Sequence, residues 1–283
     1  MSLDFDPRQR AMLQEMGVRV WRPAAAAASA APVVPKNAIE NVVTNAVRTR
    51  ATAQIGLKKM AAHEARASAD GGGADAARLD WPALRQTITA CQACPLCIGR
   101  RAAVLAAPDA PYRADWLVVS EPPDDADEQA GAPLAEAAGQ LFDNMLKALG
   151  LSRHARPAGA DPAAQALRAA YVTPVVKCRP AQARNPTQAE LATCEQYLRR
   201  EVALVQPKVI LALGRFAAQG LLQGSVPALA SLPLGQLRGQ SYHYQGIPVI
   251  VSYPPNYLLR SPQHKARAWL DWCRAQEALR RGG

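Results

Sequence analysis

The sequence predicts an α/β fold, a mostly parallel β-sheet with helices on both faces. Two observations carry this. Short apolar runs, WLVVS (116–120), AAYVTPVV (169–176) and PKVILAL (207–213), alternate with amphipathic segments of helical period. The last of these runs is almost wholly apolar, as a strand buried on both faces must be.

Each element follows in order. The folded region begins at LDWPALRQTITACQAC (79–94), where Asp80 caps a helix and Pro82 suits its first turn. After the strand at 116–120, AAGQLFDNMLKALG (137–150) sets Leu141, Met145 and Leu149 on one helical face, and Gly150 stops it. The second strand leads to TQAELATCEQYLRREVALV (187–205), a helix whose Thr187 and Glu190 form a capping box. The third strand is followed by a helix at GRFAAQGLL (214–222) and a hairpin at SYHYQGIPVIVSY (241–253) that turns at Gln245 and Gly246. Ser261 and Pro262 open a last helix carrying Trp269 and Trp272. Ligands of such sheets bind beyond the carboxyl ends of the strands, so the loops after Ser120, Pro174 and Tyr253 are the candidate site.

Of the 283 residues, 80–283 are expected to form this domain. Residues 24–79 are rich in Ala, Gly and Pro, hold no Trp, Tyr, Phe or Cys, and read as a disordered linker, because so little apolar surface cannot offset the entropy of ordering it. Ahead of it, residues 1–23 hold a patterned stretch, RQRAMLQEMGVRVWRP (8–23), in which Trp21 and several large aliphatics suit a docking peptide. No apolar run approaches the ~18 residues of a membrane span, and acids stand at the amino terminus where a secretory signal needs positive charge, so a cytoplasmic protein with no membrane partner is expected. The net charge of +10 suits a polyanionic partner such as DNA, or a solvated basic surface.

In a reducing compartment six cysteines point to metal ligands or buried thiols rather than disulfides. CQACPLC supplies Cys91, Cys94 and Cys97, while Cys178 follows the second strand and Cys194 lies in the next helix. Two thiolates three apart grip one centre and two from distant segments close a four-sulfur site, a spacing that admits zinc or an iron–sulfur cluster. Cys273 reads as a core residue.

The C-x2-C at Cys91 and Cys94, SEPPDDADEQAGAPLAEAAGQLFDNML (120–146), YVTPVVKCRP (171–180), RNPTQAELATC (184–194), PKVILALGRFAAQGLL (207–222), LRG (237–239) and YPPNYLLRSPQHKARAW (253–269) resemble, in order and spacing, the family 4 uracil-DNA glycosylases. The resemblance implies a three-layer α/β/α fold and a [4Fe-4S] cluster held by Cys91, Cys94, Cys178 and Cys194, with Cys97 an extra thiol. It also exposes departures. The family's GEAPG loop is SEPPD here, keeping Glu121 but placing Asp124 where a glycine is usual. Leu134 stands for the stacking Phe, Pro174 for the Asn that reads uracil, and Pro254 for the His that faces the leaving group. Proline offers no side-chain donor or acceptor, and losing one donor to a developing anion costs a factor of ~10²–10³. The expectation is a pocket that has lost its chemistry, the alternative being that Glu121, Asp124, Asp125 or Asp127 activates water. Arg238, Arg260, Lys265 and Arg267 are candidate phosphate contacts.

Leu13, Met16, Gly17, Val18 and Trp21 also resemble the LxxLGIxxW start of the psi subunit of the DNA polymerase III clamp loader. That resemblance implies docking on clamp-loader subunits and a chi-like partner. Together the two resemblances lead us to expect a non-catalytic accessory protein of DNA replication. The alternative is an active iron–sulfur uracil-DNA glycosylase that hydrolyses N-glycosidic bonds in base-excision repair.

Overall fold

The computed structural model describes residues 76–105, 112–153, 168–226, 229 and 232–281. The docking peptide and the linker up to residue 75 lie outside the described residues. The packed chain already includes a 3₁₀ turn at Ala76–Arg78, ahead of the expected start at Asp80, with Ala76 buried.

Six strands form one sheet: β1 (Trp116–Ser120), β2 (Leu151–Ser152), β3 (Arg168–Pro174), β4 (Val209–Leu213), β5 (Ser241–Tyr244) and β6 (Ile247–Ser252), in the order β2-β3-β1-β4-β6-β5. Every pairing is parallel except that of β5 with β6, the hairpin, which turns at Gln245 and Gly246 as expected. The helices are α1 (Trp81–Ala90), α2 (Asp125–Ala130), α3 (Glu136–Ala148), α4 (Gln188–Val205), α5 (Arg215–Leu222), α6 (Leu234–Leu237), α7 (Pro255–Arg260) and α8 (Lys265–Arg281).

The period-two alternation of the strands divides the interior in two. Leu117, Val119, Ile210 and Val249 face one core with α1, α4 and α5, whereas Trp116, Val118, Leu211 and Ile250 face the other with α3, α7 and α8. These are the three layers. Local chemistry sets the helix starts: the Asp80 carboxylate accepts from the Ala83 amide at 3.0 Å, and Thr187 and Glu190 close the capping box. Among the described residues, no helix is long and apolar enough to cross a membrane.

The register aligns the strand ends that matter. Ser120 pairs with Pro174, and Leu213 with Ser252. Because β1 leads to one side of the sheet and β4 to the other, the strand order reverses between them, the usual position of a ligand crevice.

Candidate functional site

The loops beyond β1 and β6 meet. Asp124 caps α2, one carboxylate oxygen accepting from the Asp127 amide at 3.0 Å, while the other accepts from Asn256 Nδ2 at 3.4 Å. Both side chains are exposed. Asn256 was missed in the sequence, although it stands two positions after Pro254. Pro254 itself starts α7, its carbonyl accepting from the Tyr257 and Leu258 amides. Pro174 is buried beside Ser120.

Glu121 is committed elsewhere. Its Oε1 accepts from the Phe216 amide at 2.8 Å, in the first turn of α5, so the protein's own carboxylate occupies the helix start at the switch point. Gly214, at φ 112°, makes the approach possible, since a Cβ there would lie 2.1 Å from that oxygen. Burial lifts the Glu121 carboxyl to about 7, against the lowering effect of the Phe216 and Ala217 amides.

Asp127 is buried, accepts from the Ala135 amide at 2.8 Å, and is lifted by burial to about 6. Asp125 is exposed and faces Arg179 and Arg101 at 3.7 and 3.8 Å. Leu134 is buried at φ 57° and belongs to the same apolar core as Tyr253 and Leu258. A ring stack follows β6: Tyr253 lies against Tyr257 and His264, the Tyr257 hydroxyl is 2.6 Å from His264 Nδ1, and the Arg238 guanidinium covers Tyr253 at 4.0 Å.

Of the candidate phosphate contacts, Arg238 is spent within the fold. It donates to Asp271 at 2.7 Å and to the Arg267 carbonyl at 2.8 Å. Arg260 and Arg267 are exposed and Lys265 is half-buried.

Cys91, Cys94, Cys178 and Cys194 line one pocket with Ile88, Leu96, Arg100, Lys177, Thr193 and Tyr197. Cys97 is half-buried, and Cys273 packs partly buried against the opposite core. Burial lifts Cys94 to about 11 and Cys194 to about 12, values at which a thiol stays protonated until a metal displaces the proton. Among the described residues, no three His, Cys, Asp or Glu side chains converge on a point that holds a single ion. The four sulfurs share this pocket with no histidine or carboxylate among its lining residues and with Arg100 and Lys177 beside them, a donor set that suits an iron–sulfur cluster or zinc.

The loop from Pro174 to Cys178 is fixed by a buried network absent from the sequence reading. Lys177, 1 % exposed, places its ammonium 2.7 Å from Glu201 of α4, 3.1 Å from the Pro174 carbonyl, and against Thr173. Glu201 also accepts from the Tyr171 and Thr173 hydroxyls at 3.0 Å. The same carboxylate thus pins β3 and the loop that delivers Cys178.

The family model of the uracil DNA glycosylase superfamily matches residues 107–273. The chain is 30 % identical to the type-4 uracil-DNA glycosylase of Pyrobaculum aerophilum over 188 residues, 65 % of this chain and 87 % of that protein. It is 32 % identical to that of Archaeoglobus fulgidus, over 53 % of this chain and 70 % of that protein. To that of Thermotoga maritima it is 29 % identical, over 64 % and 84 %. These likenesses correct the expectation of a non-catalytic replication accessory protein: they run to uracil-DNA glycosylases.

Proposed function

We propose, because this chain belongs to the uracil DNA glycosylase superfamily, that it is an active iron–sulfur glycosylase that hydrolyses the N-glycosidic bond of uracil in DNA, a step of base-excision repair. The observation that carries the reading is the likeness of the chain to type-4 uracil-DNA glycosylases, and the contact between Asp124 and Asn256 adds a carboxylate and a carboxamide in the loops beyond β1 and β6. Asn256 offers the donor and acceptor pair that a base edge requires, and an extruded base must be read by such groups. Asp124, held by Asn256 and the α2 amide, accepts the proton of the water that attacks C1′ as the base departs with the bonding electrons. Arg260, Lys265 and Arg267 lie on α7 and α8 just beyond this loop, suited to backbone phosphates.

Cys91, Cys94, Cys178 and Cys194 would hold a [4Fe-4S] cluster, which when bound ties α1, the β3 loop and α4 together. The test is uracil release from a single-stranded oligonucleotide by iron-replete protein. Asn256→Ala and Asp124→Asn are each expected to lower kcat/KM by about 10²–10³. Iron-replete wild-type protein that releases no uracil overturns the reading.

A further inference from the structure

We propose that Arg100 sets the reduction potential of the cluster by donating a hydrogen bond to the Cys178 sulfur. This rests on the cluster reading above. Arg100 lines the thiol pocket, and its Nη1 lies 2.9 Å from Cys178 Sγ while its Nη2 donates to the Thr89 carbonyl at 2.6 Å. Thr89 stands in the last turn of α1, whose carbonyls carry the negative end of the helix dipole. One guanidinium fork therefore joins the end of α1 to a sulfur 78 positions beyond Arg100 itself.

The local chain is shaped for this contact. After the 3₁₀ turn Pro95–Cys97, Gly99 adopts φ 80°, which reverses the backbone and returns Arg100 toward the pocket. The adjacent Arg101 points the other way, toward Asp125 at 3.8 Å, and is largely exposed. Two neighbouring arginines thus differ in one respect that matters here: only Arg100 touches a sulfur.

A donor and a fixed positive charge at a ligand sulfur stabilise the more negative, reduced centre and raise its potential. Arginine suits the task because its charge persists at any accessible pH and its planar fork satisfies carbonyl and sulfur together.

The experiment is a mediated redox titration of the iron-replete full chain, read by visible absorption. Arg100→Gln is expected to lower the reduced-to-oxidised ratio at a given potential about tenfold, or about 59 mV for a one-electron couple. Arg101→Gln, which removes the same charge without a sulfur contact, should leave the midpoint unchanged. An unmoved midpoint in Arg100→Gln, or an equal shift in Arg101→Gln, overturns the proposal. If Arg100→Gln does not retain iron, Arg100→Lys decides: it keeps the charge but not the fork, so its midpoint should fall below wild type, and equality with wild type overturns the proposal. Wild-type protein that binds no iron defeats the cluster reading itself, a result distinct from an unmoved midpoint.

Discussion

Glu128 receives Arg179 Nε at 2.8 Å and the Arg101 amide at 2.9 Å, so one buried carboxylate joins α2, at the mouth of the crevice, to both segments that flank the thiol pocket. Arg179 immediately follows Cys178. The acid-bearing helix and the cysteine loops are therefore one mechanical unit.

Removing that carboxylate should loosen both ends. Glu128→Ala is expected to lower the thermal midpoint and to speed loss of iron to a chelator several-fold, measured by bleaching of visible absorption. Asp125→Ala, which removes the ion pairs with Arg179 and Arg101 at 3.7 and 3.8 Å and an exposed hydrogen bond from Gln129, should do neither, because exposed pairs contribute little.

The Lys177–Glu201 pair yields a sharper test. Truncating one member strands a buried charge, and Lys177→Met should cost about 3–5 kcal/mol in denaturant unfolding. Replacing the whole network, as Lys177→Met and Glu201→Leu with Tyr171→Phe and Thr173→Val, should recover most of that loss, since the two hydroxyls that donate to Glu201 then leave with it. Equal destabilisation by the single and fourfold variants would contradict the geometry.

Glu121 predicts a pH dependence. Its carboxyl is raised in the fold from 4.5 to about 7 by burial, so the folded state holds this proton over an interval in which the unfolded chain has released it. Stability from this group is then fully present below about pH 4.5 and is lost as pH rises through about 7. Glu121→Gln, neutral throughout, lacks that slope. The wild type should lose about 3 kcal/mol relative to the variant between pH 4.5 and 7.5, measured by denaturant titration across the range.

Iron content separates the cysteines. Cys178→Ala and Cys194→Ala should purify with little iron and no visible band, whereas Cys97→Ala and Cys273→Ala should keep both. A colourless Cys97→Ala protein would place that thiol among the ligands.

The elements legible in the sequence are those whose signals are local. WLVVS, PKVILAL, the Thr187–Glu190 box and the Gln245–Gly246 turn each announce themselves within a few residues, and the four pocket thiols were anticipated from the family resemblance. The two-residue β2 and the short α2 carry too little period to be seen. Lys177 with Glu201, Arg100 with Cys178, and Asp124 with Asn256 join segments 24, 78 and 132 positions apart, and no periodicity encodes such meetings. Position-by-position comparison registers the missing side chains at Pro174 and Pro254, whereas the meeting of Asn256, two places further on, with Asp124 is visible only in the fold.

The division of the interior by the sheet has an optical corollary. Among the described residues, Trp116, Trp269 and Trp272 lie in the layer opposite the thiols, and Trp81, tilted against Tyr171, is the one tryptophan on their side. In a Trp21→Phe, Trp81→Phe background, ultraviolet emission follows one layer while the colour of the bound centre follows the other, so a single stopped-flow trace at two wavelengths tells which half of the molecule comes apart first.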